Sequence, residues 1–308
     1  MKHLFVFLKG MAMGAADVVP GVSGGTIAFI SGIYERLLNA IKSVNLDALK
    51  VLQKEGIKSF WAHIDGTFLA VLFAGILASI FTLAAVLSWT LGHYPQLLWS
   101  FFMGLVIASA VYIGRQLEFK DYKSVLALFI GIAIAYGITL FSPGEIPKNY
   151  LTAFIAGAIA ICAMILPGIS GSFILLLMGM YAHVLGAVKD REFMFLLVFA
   201  SGCLVGLLSF SRVLSWLFKN YKATALAVLT GFMVGSLPKV WPWQNPNTNF
   251  SRINRHGETE YYIYENVMPK NFGGEPYVIV CCLLFILGFV VVFLLEWLGN
   301  KESKNEVV

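Results

Sequence analysis

Two short polar stretches interrupt long apolar runs of this 308-residue chain, and each has the residue types of an anion site. The first is SGGT at 23–26 and the second is SGS at 170–172. Each follows a Pro-Gly pair, in which proline stops a helix by removing a backbone donor and glycine permits a tight reversal. The pattern predicts two broken helices, with their tips at Pro20, Gly21, Pro167 and Gly168.

The serine after each break is a good N-cap for the helix that follows. The first turn of that helix has free backbone N–H groups and the positive end of the helix dipole, which together bind anions such as phosphate. The alternative is that serine and glycine only satisfy the turn and let helices pack closely. The predicted phosphate-binding residues are Ser23, Gly24, Gly25, Thr26, Ser170, Gly171 and Ser172.

Five charged or titratable side chains extend this hypothesis. Asp17 precedes the first break inside an apolar run, where a charge costs about 2.5–3.5 kcal/mol, so it is a candidate for proton coupling. The alternative is a carboxyl that stays protonated or caps a neighbour. Glu35 and His183 are candidates for gating, and Arg36 and Arg212 for attracting the phosphate. Snorkelling to the interface is the competing interpretation of both arginines.

The composition describes an integral membrane protein with several spans. Hydrophobic residues make up 58% of the chain and charged residues only 13%, and the mean hydropathy is +0.79. The net charge of +5 comes from lysines and arginines between apolar runs. These residues therefore set the topology and do not indicate a nucleic-acid partner. The four cysteines lie in apolar runs without metal-site spacing, and no cofactor is predicted.

The chain contains an internal repeat. From Pro20 to Lys42, ten of 23 positions are identical to those from Pro167 to Lys189. The similarity resumes after a shift of 20 residues, where VLSWTLGHY at 86–94 matches VLSWLFKNY at 213–221. Shared hydrophobicity would not reproduce prolines, glycines and tyrosines at matching positions, so the chain consists of two related halves.

The halves are predicted at residues 1–145 and 146–300. Each has a hairpin and three apolar runs, most of them with the roughly 17–25 residues that a span needs. In the first half the hairpin is 4–34 and the spans are 68–91, 97–113 and 124–141. In the second half the hairpin is 151–181, the spans are 193–217, 223–237 and 277–298, and residues 238–276 form an extracytoplasmic loop.

The positive-inside rule favours hairpins that turn back within the membrane over hairpins that cross it. If the first broken segment turns back, a cluster of basic residues stays cytoplasmic with both termini. These residues are Lys2, Lys9, Arg36, Lys42, Lys50, Lys54 and Lys58. Each half then crosses the membrane an odd number of times, and the halves are inverted. The predicted fold class is an all-α polytopic membrane protein with two inverted repeats, each a re-entrant helical hairpin plus three transmembrane helices.

Inverted repeats with discontinuous helices are typical of secondary transporters, whose half-helix ends bind the substrate. With these residues in view, the chain resembles the PopT-type polyprenyl-phosphate transporters, a family formerly described as a domain of unknown function. The resemblance depends on "KGMAMGAADVVPGVSGGTIAFISGIYERLL" and "LPGISGSFILLLMGMY" and extends over nearly the whole chain. It implies a bacterial cytoplasmic-membrane flippase that returns undecaprenyl phosphate from the outer to the inner leaflet for cell-wall synthesis.

Two other functions remain open from the sequence. Undecaprenyl-pyrophosphate phosphatases also have inverted re-entrant hairpins with a P-G-x-S motif, but there an arginine follows the serine, where this chain has Gly24 and Gly171. A small-solute exchanger with Asp17 as its proton site is the third hypothesis. The expected partners are undecaprenyl phosphate and bilayer lipid, with a possible homodimer; a coupling ion would be a proton or sodium.

Overall fold

The computed structural model describes residues 2–18, 23–117, 121–140, 146–247, 251–253, 259–261 and 264–305. The predicted tip residues Pro20 and Gly21 lie outside these ranges. Along the first half the helices are α1 (Lys2–Val18), α2 (Gly24–Ile30), α3 (Tyr34–Ser43), α4 (Leu46–Glu55), α5 (Ile57–His63), α6 (Gly66–His93), α7 (Pro95–Gly114) and α8 (Tyr122–Leu140). Along the second half they are α9 (Tyr150–Ile165), α10 (Gly171–Leu177), α11 (Tyr181–Lys189), α12 (Phe193–Asn220), α13 (Lys222–Gly235) and α14 (Val278–Asn305).

The segment between α13 and α14 begins with a 3-10 helix at Leu237–Val240 and contains two small antiparallel ladders. The strands are β1 (Gln244–Pro246), β2 (Ser251–Ile253), β3 (Thr259–Tyr261) and β4 (Tyr264–Asn266). Strand β1 pairs with β4, and β2 pairs with β3. The indole N–H of Trp241 donates to the Val267 carbonyl at 2.9 Å, and that of Trp243 donates to the Pro276 carbonyl at 2.8 Å. These two hydrogen bonds connect the beginning of the segment to its end.

Four helices in the described chain are long and apolar enough to cross a membrane. They are α7, α8, α12 and the part of α6 at Gly66–Leu83. Shorter apolar helices are Tyr150–Ile165, Lys222–Gly235 and Val278–Leu294. Large apolar side chains such as Phe81 (83% exposed) and Ile279 (78% exposed) face outward, as lipid-facing residues do. The predicted all-α polytopic membrane fold is confirmed, whereas the inversion of the two halves stays a prediction.

Close helix pairs are made by glycines that lie directly on carbonyl oxygens of the partner helix. In the pair α1–α6, a Cβ at Gly10 would overlap the Leu72 carbonyl oxygen, and a Cβ at Gly75 would overlap that of Phe7. Small residues let membrane helices approach this closely because lipid supplies little hydrophobic force between helices. The pair α9–α12 has the equivalent contacts, Gly157 on Phe199 and Gly202 on Phe154.

The two remaining close pairs join the halves to each other. Helix α7 packs on α14 and helix α13 packs on α8. In the first pair Gly104 lies on the Phe285 carbonyl; in the second, Gly231 lies on that of Leu128. Gly104 and Gly231 are related by the shift of 127 positions that the sequence repeat gives, and Leu128 and Phe285 by a shift of 157. The packing therefore supports the two-fold repeat predicted from the sequence.

The first broken segment folds as a helical hairpin beside α6. Helix α1 runs parallel to α6, since Gly10 lies against Leu72 and Gly14 against Ile76. Helix α2 returns antiparallel to α1, because the Lys9 ammonium in the middle of α1 donates to the Ser31 carbonyl at 2.9 Å. Helix α3 continues the return, since its Arg36 pairs with Asp65 at the start of α6. Both ends of the hairpin therefore lie at the end of the bundle where α6 begins. This is the geometry that a re-entrant hairpin requires, although its depth in a membrane stays a prediction.

A matched pair of glycine substitutions tests the close packing. Gly231→Ala places a methyl group on the Leu128 carbonyl oxygen, whereas Gly137→Ala, on α8, meets nothing within 4 Å. We expect Gly231→Ala to lower the free energy of unfolding by about 1–3 kcal/mol, as overpacked interiors do. Gly137→Ala should be neutral or stabilising because alanine favours helix. Thermal unfolding of both detergent-purified variants measures this, and equal melting temperatures would contradict the packing described.

Candidate functional site at the two hairpin tips

The first tip is closed by its own side chains. Ser23 is the N-cap of α2, as the sequence predicts, and its hydroxyl oxygen accepts a hydrogen bond from the Gly25 N–H at 3.1 Å. Ser23 is only 1% exposed. A buried cap that satisfies a backbone donor fits the requirement that broken helices in lipid be satisfied internally.

Asp17 occupies the anion position of this tip. Its carboxylate oxygen Oδ1 accepts a hydrogen bond from the Gly24 N–H at 2.7 Å. The carboxylate lies so close to Gly24 that a Cβ there would meet Oδ2 at 2.5 Å. One of the predicted free donors at the start of α2, the Gly24 N–H, is therefore already occupied by a carboxyl group of the chain itself. The contact observed for Asp17 is thus the capping of a neighbour, one of the alternatives to proton coupling that the sequence leaves open.

The two tips touch each other. The Ser23 hydroxyl donates to the Met164 carbonyl at 2.8 Å, and the Gly168 N–H donates to the Thr26 hydroxyl oxygen at 3.0 Å. Gly25 leaves no room for a side chain, since a Cβ there would overlap the Ile165 carbonyl oxygen. We call this contact the tip seam; it consists of Ser23, Gly25 and Thr26 on one side and residues 164–168 on the other.

The second tip differs from the first. Ser170 stands at the N-cap position of α10 but makes no cap hydrogen bond there; its hydroxyl instead lies 2.8 Å from that of Ser172. Pro167 is fully buried, and Gly168 has a φ of 85°, a left-handed conformation that glycine adopts without strain. Gly171 lies against the Ala160 carbonyl. The hydroxyls of this tip are thus not used to close its helix end.

A cavity with a lysine lies beside the second tip, and the sequence analysis did not identify it. The cavity lies between the tip, α8 and the 3-10 helix and is partly open; its volume is about 20 Å³, room for a water-sized molecule. Lys239 lines it with Ser170, Ser236 and Thr139. The ammonium nitrogen lies 4.0 Å from the centroid of the Phe173 ring. Burial lowers the pKa of Lys239 to about 8, because the charged form loses hydration.

Arg36 and Glu35 are held in ion pairs away from the tips. The Arg36 guanidinium donates to both carboxylate oxygens of Asp65, at 2.6 and 3.1 Å, and stacks over the Phe68 ring. Glu35 pairs with Lys222 at 2.7 Å. These pairs connect the start of α3 to the starts of α6 and α13, so their observed contacts are structural.

The other two predicted residues also lie outside the tip seam. Arg212 is exposed on the surface of α12. The ring of His183 packs edge-on against Phe195, with centroids 4.6 Å apart. Their proposed roles in attracting phosphate and in gating stay predictions, and neither contributes to the geometry at the tips.

The geometry at the tips is suited to binding an oxyanion. Three backbone N–H groups, of Gly24, Gly25 and Gly168, each donate to a side-chain oxygen at 2.7–3.1 Å. The oxygens of a phosphate group can replace such acceptors. Lys239 adds a positive charge on one side of the seam, because Gly168 belongs to both the seam and the cavity.

Comparisons with known proteins agree with this chemistry. Residues 13–260 match the family described as undecaprenyl phosphate translocase-like. The chain is 52% identical over 272 residues to a protein of Vibrio cholerae named polyprenyl-phosphate transporter, with 88% of each chain covered. It is 33% identical over 255 residues to a Staphylococcus aureus protein of the same name, covering 76% of this chain and 85% of that one. No solved structure matches the chain. The chain belongs to the undecaprenyl phosphate translocase-like family.

Proposed function

We propose that this protein is a flippase for polyprenyl phosphate, with undecaprenyl phosphate as its substrate. It moves the lipid from the outer to the inner leaflet of the bacterial cytoplasmic membrane, so that the carrier is used again in peptidoglycan and other cell-wall synthesis. Membership of the family and the names of two relatives, both polyprenyl-phosphate transporters, support this substrate. The same names favour transport over the phosphatase hypothesis.

The tip seam is the observation that carries the mechanism. A lipid phosphate has a small anionic head, which needs a polar path, and a tail that stays in the bilayer. The seam supplies backbone N–H groups and hydroxyls where the two hairpins meet among apolar helices. In this structure the side chains of Asp17, Ser23 and Thr26 accept those N–H groups. The phosphate takes their place when the hairpins separate.

The orientation follows from the hairpin geometry and the basic residues. The first hairpin begins and ends where α6 begins, and the ion pair of Glu35 with Lys222 joins that end to the turn between α12 and α13. Lysines cluster at this end of the helix bundle. By the positive-inside rule, this favours a cytoplasmic position for that end. Both termini are then cytoplasmic, and the halves are inverted with their tips meeting inside the membrane.

Asp17 is the proposed coupling residue. In its ionised form it holds the Gly24 N–H through a charge-assisted hydrogen bond, which is stronger than a neutral one. Protonation weakens that bond and releases the donor for the phosphate, so a proton gradient can drive the cycle. Sodium is the alternative coupling ion. If Asp17 instead serves an exchanger of small solutes, the protein moves no lipid.

Loss of the tip serines tests the proposed path. Purified protein is placed in liposomes with undecaprenyl phosphate in both leaflets, and a membrane-impermeant probe reports the phosphate of the outer leaflet. We expect Ser23→Ala/Ser170→Ala to slow lipid movement about thirtyfold, since each of the two hydroxyl contacts is worth about 1 kcal/mol. Ser201→Ala, whose hydroxyl bonds only its own helix at Val198, is the matched control.

The same assay separates the three functions. Movement of lipid without release of inorganic phosphate supports the flippase. Release of phosphate from undecaprenyl pyrophosphate would make the protein an enzyme. Absence of lipid movement under every gradient would exclude the flippase and leave the solute exchanger. Unfolding temperatures of the serine variants are measured alongside, because loss of the Ser23 cap alone costs about 1 kcal/mol of stability.

Substitution of Asp17 tests the coupling. Asp17→Asn keeps an oxygen that can accept from Gly24 but cannot change its charge. We expect the wild type to move lipid inward faster when the outside is acidic, and Asp17→Asn to lose most of this response, by about tenfold. The measurement is the rate ratio with and without the pH gradient. A variant that responds as strongly as the wild type would assign the proton to another group, and a response to sodium alone would replace the proton.

A further inference from the structure

The cavity beside the second tip combines a partly buried cation with hydroxyl groups. Lys239 reaches into it from the 3-10 helix, and its ammonium lies against the face of Phe173. A ring face is attracted to a cation but does not neutralise it. The other described residues that line the cavity are apolar or carry hydroxyls, and none of them has a carboxylate. The charge balance of this cavity therefore favours an anionic occupant.

The hydroxyl groups that line the cavity are positioned to bind the same anion as Lys239. Ser170 and Ser236 are both 5% exposed, and both line the cavity with Thr139. Each hydroxyl already has one hydrogen-bond contact, with Ser172, Met233 and Tyr136 respectively. A hydroxyl has one donor and two acceptor sites and can rotate. These three groups can therefore turn toward a phosphate, which offers oxygens in several directions.

The lysine of this site occurs in the second half of the repeat and is replaced by another residue type in the first half. Lys239 aligns with Tyr112, by the shift of 127 that relates Gly104 to Gly231. Asp17 aligns with Met164, by the shift of 147. The first tip thus carries a carboxylate and the second tip a lysine. An anion is repelled from the first tip while Asp17 is ionised and attracted to the second, so the two ends of the seam are electrostatically opposite.

The outer surface of α8 next to the cavity is apolar and exposed. Leu140 is 66% exposed and Tyr136 is 47% exposed, whereas Thr139 lines the cavity. A head group in the cavity therefore lies one helix face away from a surface that lipid covers. A prenyl tail can remain along that surface while its phosphate is inside.

We propose that this cavity is the head-group site for a phosphate monoester lipid, with Lys239 as its charge partner and Ser170, Ser236 and Thr139 as its hydrogen-bonding groups. The proposal rests on the proposed function. In this structure the cavity has room for a water-sized molecule, so the head group enters it as the hairpins separate. One ammonium group matches a monophosphate; a diphosphate carries more negative charge than this cavity offsets.

Binding of farnesyl phosphate, a short prenyl monophosphate, to the purified full-length protein tests the site. Calorimetry in detergent is run on the wild type, Lys239→Met, Lys239→Arg and the control Lys270→Met, whose lysine is exposed in the same segment. We expect Lys239→Met to weaken binding at least about tenfold, the ratio that loss of one charge-assisted contact produces. Lys239→Arg should retain most of the affinity and Lys270→Met all of it.

The ligands distinguish the sources of the phosphate. Farnesyl diphosphate and farnesol should bind more weakly than farnesyl phosphate, as should inorganic phosphate. Equal binding of inorganic phosphate would make the occupant free phosphate and overturn the lipid assignment. Unchanged binding by a folded Lys239→Met variant would overturn the site, and so would absence of wild-type binding. None of these binding results contradicts the flippase proposal if the liposome assay still shows lipid movement.

The pH dependence of binding supplies a second readout. A phosphate monoester has its second pKa near 6, so its charge is constant above about pH 7. The pKa of Lys239 is lowered to about 8 by burial, and a bound anion raises it again. Wild-type affinity should therefore fall above about pH 8, by up to tenfold per pH unit for one coupled proton. Lys239→Arg should not show this fall below pH 10, because guanidinium stays charged; parallel profiles would contradict the role of Lys239.

Discussion

The hydrogen bonds between the two hairpin tips are the contact on which the arrangement of this molecule depends. A helix broken in an apolar environment exposes backbone donors and acceptors that lipid cannot satisfy. Here Ser23 reaches the Met164 carbonyl, and the Gly168 N–H reaches Thr26. Side chains of the first hairpin thus satisfy backbone groups of the second, and the long helices that flank both breaks hold the tips in place.

The flanking helices achieve this through backbone contact more than through large side chains. Glycines at equivalent positions of the repeat lie on carbonyl oxygens of the partner helix in four helix pairs. The pairs α7–α14 and α8–α13 join the two halves, while α1–α6 and α9–α12 hold the hairpins. Such packing is compact and leaves the bulky apolar residues free to face lipid. A seam set between rigid helix pairs can open only if the hairpins or the pairs move as units.

Symmetry in the backbone is combined with asymmetry in charge. The repeat places two similar tips together, yet a carboxylate closes the first and a lysine borders the second. A carrier with identical tips would have no preferred loading side. In the proposed mechanism, opposite charges at the ends of one seam give a lipid anion a direction of approach and connect that direction to the protonation of one carboxylate. The coupling proposed for Asp17 and the site proposed for Lys239 are therefore two parts of one electrostatic arrangement.

The sequence by itself determined the all-α membrane class, and it predicted the apolar spans, the two Pro-Gly breaks and the register of the repeat; it did not predict the short helices α4 and α5. The predicted features follow from hydropathy, from residues that stop helices, and from identities between segments, all of which are local or can be aligned. The sequence also pointed to Asp17 and to Ser23 as a cap. Only the tertiary structure decided that Asp17 fills the first tip, that Arg36 is paired with Asp65, and that Lys239 borders the second tip. Lys239 is about 70 residues from Ser170 in the chain, and periodicity within one helix carries no information about which distant helix will pack beside it.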